Sequence, residues 1–309
     1  MKKGIIKKNN KYYYTDTKKE VCSVDQERIN KLRIPPAWTD VWVSKDSKSK
    51  LQAYGYDVKG KKQYIYHENH IKKSTKKKYD RLSKFIDKMS KLEKSIEKDM
   101  KIKEYSREKV IALMLFIMKH IHIRVGKECY VKMNKSYGLA SLRKKHMTLK
   151  DGKIIFKFKG KSNKHLTYKF RSERVFNMLK KLKTFPSERL FQYKEDDNYK
   201  RLTYSDLNEY LKNNMGEDFT CKDFRTYAAN VAFIKHILQF QTIPKTKKET
   251  KDNIKEAIEY TSDLLKNTPS IAKKSYISHT IIQKYEKNPR FFKNNEDKEI
   301  TEIIRMILK

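Results

Sequence analysis

Cysteine is scarce in this chain of 309 residues: only Cys22, Cys129 and Cys221 occur, far apart and without a CxxC pair. Zinc sites and disulfide frameworks need closely spaced or paired cysteines, so this distribution argues against both and indicates a reducing compartment. The eight histidines are scattered without metal-ligand spacing, and His120 and His122 point to different faces of a helix. We therefore expect neither a metal site nor another cofactor.

Long apolar runs and nucleotide motifs are missing as well. No stretch of about 18 apolar residues and no signal peptide is present, which predicts a soluble protein that is not secreted by that route. The phosphate-binding pattern GxxxxGK[ST] does not occur either. We do not expect nucleotide hydrolysis to drive this protein.

Acidic residues are few: 37 Asp and Glu stand against 74 Lys and Arg, for a formal net charge of +37. A charge this large repels itself in a compact state, which favours a persistent polyanionic partner such as DNA. Aromatic residues make up 12% of the chain, so it can bury apolar surface and is not a disordered basic tail. An AT-rich genome, which inflates lysine codons, is an alternative source of the charge, and both explanations can hold together.

Arginine is also scarce, and lysine outnumbers it several-fold. A plain positive charge can be supplied by lysine, whereas a planar and always-charged fork requires arginine. The few arginines are therefore candidates for geometrically demanding roles, and Arg124 and Arg225 are two of them.

The pattern along the chain predicts an α+β protein. Aromatic and β-branched runs indicate a small β-rich N-terminal domain at 1–72, with a hairpin turn at Lys59-Gly60. A dense charge block without apolar periodicity predicts a basic linker at 73–82. The remainder, 83–309, is expected to be a mainly helical catalytic domain that carries a small antiparallel sheet.

Within that larger domain several elements have clear signals. Residues 107–126 are apolar nearly all round, which predicts a buried central helix ending at Gly126. Asp151-Gly152 predicts a tight hairpin turn, and a second turn is expected at 160–164. The segment KDFRTYAANVAFIKHIL predicts a helix capped by Asp223, and Thr268-Pro269 predicts the start of a helix that carries Tyr276.

Four segments together suggest phosphodiester chemistry: IRVGK, KGKSNKH, KDFRTY and NTPSIAKKSY. Strand transfer needs a nucleophile, cations aimed at the non-bridging oxygens, and an acid for the leaving oxygen. The pKa of a phenol is about 10, so a tyrosine nucleophile needs nearby guanidinium groups. Each residue alone has a duller explanation. Tyr276 is one of 20 tyrosines, Arg124 could complement a helix dipole, and Arg225 could bind a phosphate passively.

The order of these segments resembles the type IB DNA topoisomerases, particularly the compact poxvirus-type enzymes. IPPAWTDVWV, DVKGKKQYIYH, GLASLRKKH and KFKGK are similar to that family too, so the resemblance covers almost the whole chain. It implies a monomeric clamp around duplex DNA that relaxes supercoils through a 3′-phosphotyrosyl intermediate, without ATP or an obligatory protein partner. It also implies the virion and the host cytoplasm as location. The catalytic residues it implies are the nucleophile Tyr276, the cations Arg124 and Arg225, the general acid Lys161, and Asn267.

Two positions depart from the family pattern. Asn267 stands where the family usually has histidine, although an amide can still donate a hydrogen bond to a phosphate oxygen. Ser162 stands where aspartate is frequent, so any role of that carboxylate is absent or moved.

The resemblance further implies DNA contacts. Gln63, Tyr64 and Tyr66 match positions that contact bases in the major groove, and the two tyrosines share one strand face. A half-buried aromatic face of a β domain is the structural alternative. Lys127, Tyr130 and the basic Lys222 match other DNA-contact positions, while the surrounding lysines should hold phosphates without sequence choice.

Two other protein classes remain open from the sequence. A tyrosine recombinase uses a similar Arg-Lys-Arg-Tyr set, but usually has histidine directly after the second arginine, where this chain has Thr226. A non-enzymatic architectural DNA binder would explain the charge but not the co-occurrence of the four segments.

Overall fold

The computed structural model describes residues 3–216 and 219–308. The chain forms two compact units, the first ending at Lys78 and the second beginning at Tyr79. The first is built on a β-sheet and the second is mainly helical with small antiparallel sheets, so the predicted α+β class is confirmed. Among the described residues, no helix is long and apolar enough to cross a membrane.

The first unit contains a five-stranded antiparallel sheet with the strand order β2-β1-β3-β4-β5 and a helix, α1. Its core is one small cluster of β-branched and alanine side chains, which the sheet forms together with Ile29 of α1. The predicted turn at Lys59-Gly60 is present, with Gly60 at φ 66° and its N–H bonded to Asp57 O. The bounds are β1 Ile5–Lys8, β2 Lys11–Tyr14, α1 Ser23–Lys31, β3 Thr39–Val43, β4 Leu51–Tyr56 and β5 Lys62–Tyr66.

Helix α2, Glu68–Met100, corrects the conformation expected for residues 73–82. The basic segment is helical throughout, and the division between the units falls within it. From Tyr79 onward, apolar residues recur every three or four positions and are buried, including Leu82, Phe85 and Met89. This periodic face stabilises the helix that the charged segment enters.

Among the described residues, the second unit contains α2 from Tyr79 onward, ten further helices, one three-stranded sheet and one two-stranded sheet. The strands are β6 Met147–Lys150, β7 Lys153–Lys159, β8 His165–Arg171, β9 Gln192–Glu195 and β10 Asn198–Arg201. The helices are α3 Arg107–Ile121, α4 Glu128–Asn134, α5 Glu173–Lys183, α6 Tyr204–Met215, α7 Cys221–Ile237, α8 Lys247–Leu264, α9 Pro269–Ser275, α10 His279–Lys287, α11 Pro289–Lys293 and α12 Ile300–Leu308.

Helix α3 is the buried central helix that was predicted, with residues 110–115 fully inaccessible. It ends at Ile121 rather than at Gly126, because His122 adopts a left-handed conformation at φ 53°. Gly126 serves the following loop instead. A Cβ on Gly126 would lie 2.7 Å from the backbone of Gly138, so the two glycines let two backbone segments touch.

The predicted hairpin is confirmed. Asp151 and Gly152 have φ values of 49° and 69°, as a tight two-residue turn between β6 and β7 requires. Residues 160–164 form the second turn, which contains the one-turn 3-10 helix Lys161–Asn163. The antiparallel order β6-β7-β8 brings Lys161 to one end of this sheet.

Candidate active site

Helix α7 supplies a buried arginine. Thr220 caps the helix, and Asp223 lies three residues later, where its carboxylate accepts from the backbone N–H of Thr220 at 2.8 Å. Asp223 is therefore part of a capping box and is not the N-cap that the sequence predicted. Arg225 follows on the inward face and is only 3% exposed.

The fork of Arg225 is held by the backbone. One terminal nitrogen donates to the carbonyl oxygen of His122, and the other donates to that of Leu265 at 2.8 Å. Its Nε is buried and makes no hydrogen bond within the described part of the chain. A guanidinium fixed in this way presents its Nε–H in a set direction, because the terminal nitrogens are held by the two carbonyls.

Arg124 and Asn267 meet in the same region. Arg124 lies in the loop after α3, and its guanidinium donates to Oδ1 of Asn267, just after α8. The amide nitrogen of Asn267 is buried and has no acceptor among the described residues. Asn267 thus orients Arg124 with its oxygen and keeps its own donor available.

Tyr276 lies directly after α9, which begins at Pro269 with Thr268 as its N-cap, as predicted. The helix ends one residue earlier than expected, and Tyr276 has φ −131° and ψ −45°. The guanidinium carbon of Arg225 is 5.2 Å from the centre of the Tyr276 ring. The structure therefore places the side chains of Tyr276 and Arg225 next to each other.

Asn230 is a site residue that the sequence analysis missed. It is fully buried on α7, where its amide nitrogen donates to the carbonyl oxygen of Tyr276 at 3.1 Å. Its amide oxygen accepts from the N–H of Ser278 at 2.7 Å. One side chain thus holds the backbone on both sides of Ile277, but a single asparagine inside a helix has no sequence signal.

The electrostatics of Tyr276 favour its ionised form. Burial alone would raise the pKa of the phenol, but the charges of Arg225, Arg124 and Lys161 and a hydrogen bond from Arg225 lower it below its ordinary value of 10.0. Arg225 experiences the converse: burial and the neighbouring Arg124 lower its pKa. The site is an electropositive, partly desolvated pocket suited to an anion.

Lys161, the predicted general acid, and Lys222, a predicted DNA contact, are both exposed. Lys161 lies on the turn before β8, and its charge contributes to lowering the pKa of Tyr276. Ser162, in the same turn, has φ 61°. Lys222 lies in the first turn of α7, three residues before Arg225.

In the first unit, Tyr64 and Tyr66 lie on one face of β5, 49% and 40% exposed, with ring centres 6.1 Å apart. Both rings are thus partly accessible, and a DNA-contact role for them stays a prediction. Gln63 points to the opposite strand face, and its amide nitrogen donates to Asp57 at 2.8 Å. The tyrosines form one exposed aromatic surface that Gln63 does not share.

Helix α4 carries two other predicted DNA contacts. Lys127 is exposed at its N-cap, and Tyr130 is 50% exposed in its first turns. Between them Glu128 is held by Arg189 in a two-pronged ion pair, with distances of 2.5 and 2.6 Å. This pair lowers the pKa of Glu128 and fixes the start of a seven-residue helix.

A buried arginine, a second arginine and a phenol with a lowered pKa therefore lie together in the second unit. Residues 59–303 match the family Eukaryotic DNA topoisomerase I, catalytic core, and residues 11–57 match Bacterial DNA topoisomerase IB, N-terminal domain. The chain belongs to the type IB DNA topoisomerase family. The two other classes left open by the sequence, a recombinase and a non-enzymatic DNA binder, are thereby set aside.

Viral relatives support the same assignment. The chain is 45% identical over 305 residues to DNA topoisomerase 1B of Acanthamoeba polyphaga mimivirus, covering 96% of this chain and 91% of that protein. It is 27% identical over 268 residues to DNA topoisomerase 1B of Vaccinia virus (strain Copenhagen), covering 83% and 81%. Against DNA topoisomerase 1 of Rabbit fibroma virus (strain Kasza), identity is 28% over 293 residues, covering 91% and 88%.

Proposed function

We propose that this protein relaxes supercoiled duplex DNA by cutting and resealing one strand through Tyr276. The observation that carries the proposal is the position of the Tyr276 ring, whose centre lies 5.2 Å from the guanidinium carbon of Arg225. The charges of Arg225, Arg124 and Lys161 lower the pKa of the phenol there. A phenol is a useful nucleophile near neutral pH only where fixed cations stabilise its anion. The same cations would stabilise the charge of a five-coordinate phosphorus in the transition state.

Cleavage would proceed by attack of the Tyr276 phenolate oxygen on the phosphorus, after the phenol has lost its proton to water. A bond forms between this oxygen and phosphorus while the bond to the 5′ oxygen breaks, and the ammonium of Lys161 gives the departing oxygen its proton. Asn267 Nδ2 and Arg225 Nε are free to donate to the non-bridging oxygens. The products are a 3′-phosphotyrosyl bond and a 5′ hydroxyl.

Resealing is the same reaction in reverse. The 5′ hydroxyl attacks the phosphotyrosyl phosphorus, Lys161 regains the proton, and Tyr276 is released. Between the two steps the downstream duplex rotates and supercoils are lost. Each phosphoester bond is exchanged for another of similar energy, so the cycle requires no ATP.

DNA binding would use the rest of the basic surface. Tyr64 and Tyr66 would contact bases, as would Gln63 after release from Asp57, while Lys127, Tyr130 and Lys222 would hold the strand near the catalytic residues. We further propose that the protein acts as a monomeric clamp, without an obligatory protein partner. Its viral relatives favour the virion and the host cytoplasm as its location.

A relaxation assay tests this function. Supercoiled plasmid incubated with the protein in EDTA without ATP should become relaxed, whereas Tyr276→Phe should bind the plasmid but neither relax it nor form a covalent adduct. A covalent adduct with Tyr276→Phe would show that another nucleophile is used. Strand exchange that needs two sites would indicate a recombinase, and a mobility shift alone would indicate a DNA binder.

A further inference from the structure

A second tyrosine, Tyr168, lies in the catalytic region. It is on β8, which follows the turn that carries Lys161, and it is only 4% exposed. Its ring stacks on Phe158 with a centre distance of 6.0 Å, and Nζ of Lys266 lies 5.8 Å from the ring centre. Lys266 immediately precedes Asn267, so the Tyr168 side chain lies beside the segment that orients Arg124.

The hydroxyl of Tyr168 makes no hydrogen bond to any part of the chain that the structure describes. Buried polar groups are nearly always hydrogen-bonded, and one that is not destabilises the fold. A phenylalanine would pack here without that cost. An unpaired buried hydroxyl is therefore a feature that points to a ligand.

The neighbours of this hydroxyl determine what the ligand must be. The charges of Arg225 and Arg124 both act on Tyr168, and arginine side chains can donate but cannot accept. The amide oxygen of Asn267 is already occupied by Arg124. The described chain supplies no acceptor to this hydroxyl, and an acceptor that entered from outside beside these cations would be an anion.

Two tyrosines in one site have their ionisation moved in opposite directions. Burial raises the pKa of Tyr168, against the smaller lowering effect of Arg225 and Arg124, whereas the net effect on Tyr276 is a lowered pKa. Two neighbouring groups whose pKa values move in opposite directions are suited to different roles in a reaction. Tyr276 is suited to attack as an oxyanion, and Tyr168 keeps its proton and is suited to donate it in a hydrogen bond.

We propose that Tyr168 is a further catalytic residue, whose hydroxyl donates a hydrogen bond to one non-bridging oxygen of the scissile phosphate. It joins Arg225 Nε and Asn267 Nδ2, two of the other buried groups that have no hydrogen-bond partner in the described chain. This inference rests on the proposed function. It adds no bond-breaking step; it strengthens binding of the transition state as negative charge accumulates on that oxygen.

Tyr168→Phe tests the proposal, because it removes one oxygen atom and nothing else. The rate of single-turnover cleavage of a labelled duplex should fall by about 10- to 100-fold with DNA binding unchanged. The Tm should equal or exceed that of the parent, since an unpaired buried hydroxyl is lost. A purely structural tyrosine would not give a slower but equally or more stable protein.

The contacted atom is identified by substrates in which a methyl group replaces one non-bridging oxygen. On the diastereomer that lacks the contacted oxygen, the parent and Tyr168→Phe should cleave within about twofold of each other. On the other diastereomer the full difference should remain. If Tyr168→Phe cleaves both diastereomers more slowly than the parent by the same factor, Tyr168 does not contact a non-bridging oxygen directly.

Tyr285→Phe is the matched control. Tyr285 is also buried, but its hydroxyl accepts from Asn253 at 2.9 Å. This variant should lose about 2–4 °C in Tm and cleave at the parent's rate. If the parent cleaves and Tyr168→Phe matches its rate, only the role of Tyr168 fails. If the parent itself forms no covalent adduct, the proposed function fails.

Discussion

The guanidinium carbon of Arg225 lies 5.2 Å from the centre of the Tyr276 ring, and the same guanidinium is fixed by two backbone carbonyls. Because these hydrogen bonds fix the position of the Arg225 guanidinium, the contact between the two side chains depends on where the backbone places Tyr276. The backbone contacts of Asn230 achieve that placement. Positioning and activation of the proposed nucleophile, Tyr276, would therefore both depend on α7.

Arg225→Lys should reduce the single-turnover cleavage rate by at least about 100-fold, because an ammonium cannot bond both carbonyls and also donate to the phosphate. Loss of the hydrogen bond to Tyr276 should also raise the pKa of the phenol, so the rising limb of the pH–rate profile should move to higher pH. Arg171→Lys, on the surface of β8, is the control and should cleave normally. Normal cleavage by Arg225→Lys would contradict the importance of the fork.

Asn267→Asp should be slower than Asn267→Ala. Alanine removes a hydrogen bond and the partner of Arg124, whereas aspartate places a negative charge where the phosphate would bind. Aspartate should also pair with Arg124 and hold or raise the Tm. We would measure cleavage rate and thermal unfolding for both variants. Cleavage by Asn267→Asp at the parent's rate would show that no anion occupies this position.

Lys161→Ala should be slow on an ordinary duplex and recover on a duplex with a 5′ bridging sulfur, because a thiolate leaves without being protonated. Lys164→Ala, in the same turn and also exposed, should be close to the parent on both substrates. The measured quantity is the ratio of the two cleavage rates. Absence of rescue would remove Lys161 from the acid role.

Acid should destabilise the second unit through His122. Burial and then the charges of Arg225 and His120 lower the pKa of His122 to about 4. The unfolded chain binds this proton near pH 6.5, so stability is lost as the pH falls from about 6.5 to 4, by about 3 kcal/mol at most.

His122→Asn removes this titration while asparagine tolerates the left-handed backbone. The variant should lose less unfolding free energy in denaturant titrations over that interval, whereas the exposed His279→Asn should behave like the parent. An unchanged pH dependence in His122→Asn would assign the effect to other groups.

Arg189→Ala should weaken DNA binding by about 5- to 10-fold and leave the cleavage rate at saturating protein nearly unchanged. The variant frees Glu128, so α4 is ordered only when DNA is bound and the ordering cost lowers affinity. Glu188→Ala breaks the more exposed pair with Arg143 and should have little effect. If Arg189→Ala and the parent bind DNA with equal affinity, the ion pair between Arg189 and Glu128 is not needed to order α4.

Much of the fold was predictable because turns and caps have local signatures. Asp151-Gly152, Lys59-Gly60 and Thr268-Pro269 each appear where the sequence placed them. Local signals failed where tertiary contacts decide. The charged start of α2 is helical because of the apolar face that begins at Tyr79, and α3 ends early at His122.

The sequence predicted the motif residues of the candidate site but not the buried residues that pack around them. Arg124, Arg225, Asn267 and Tyr276 came from segments that resemble a family, and the structure places them together. Asn230 and Tyr168 belong to no such segment in the sequence reading. Their roles follow from buried hydrogen-bonding groups, which exist only once the chain is folded.

The short helix α9 would be a weak anchor for a tyrosine that carries a strand of DNA. A rotating duplex exerts torque on whatever holds its cut end, and seven helical residues with one buried alanine offer little resistance. Asn230 passes that load to the seventeen-residue helix α7, deep in the protein. In the proposed reaction, Asn230 would thereby brace the covalent joint on Tyr276 through its backbone.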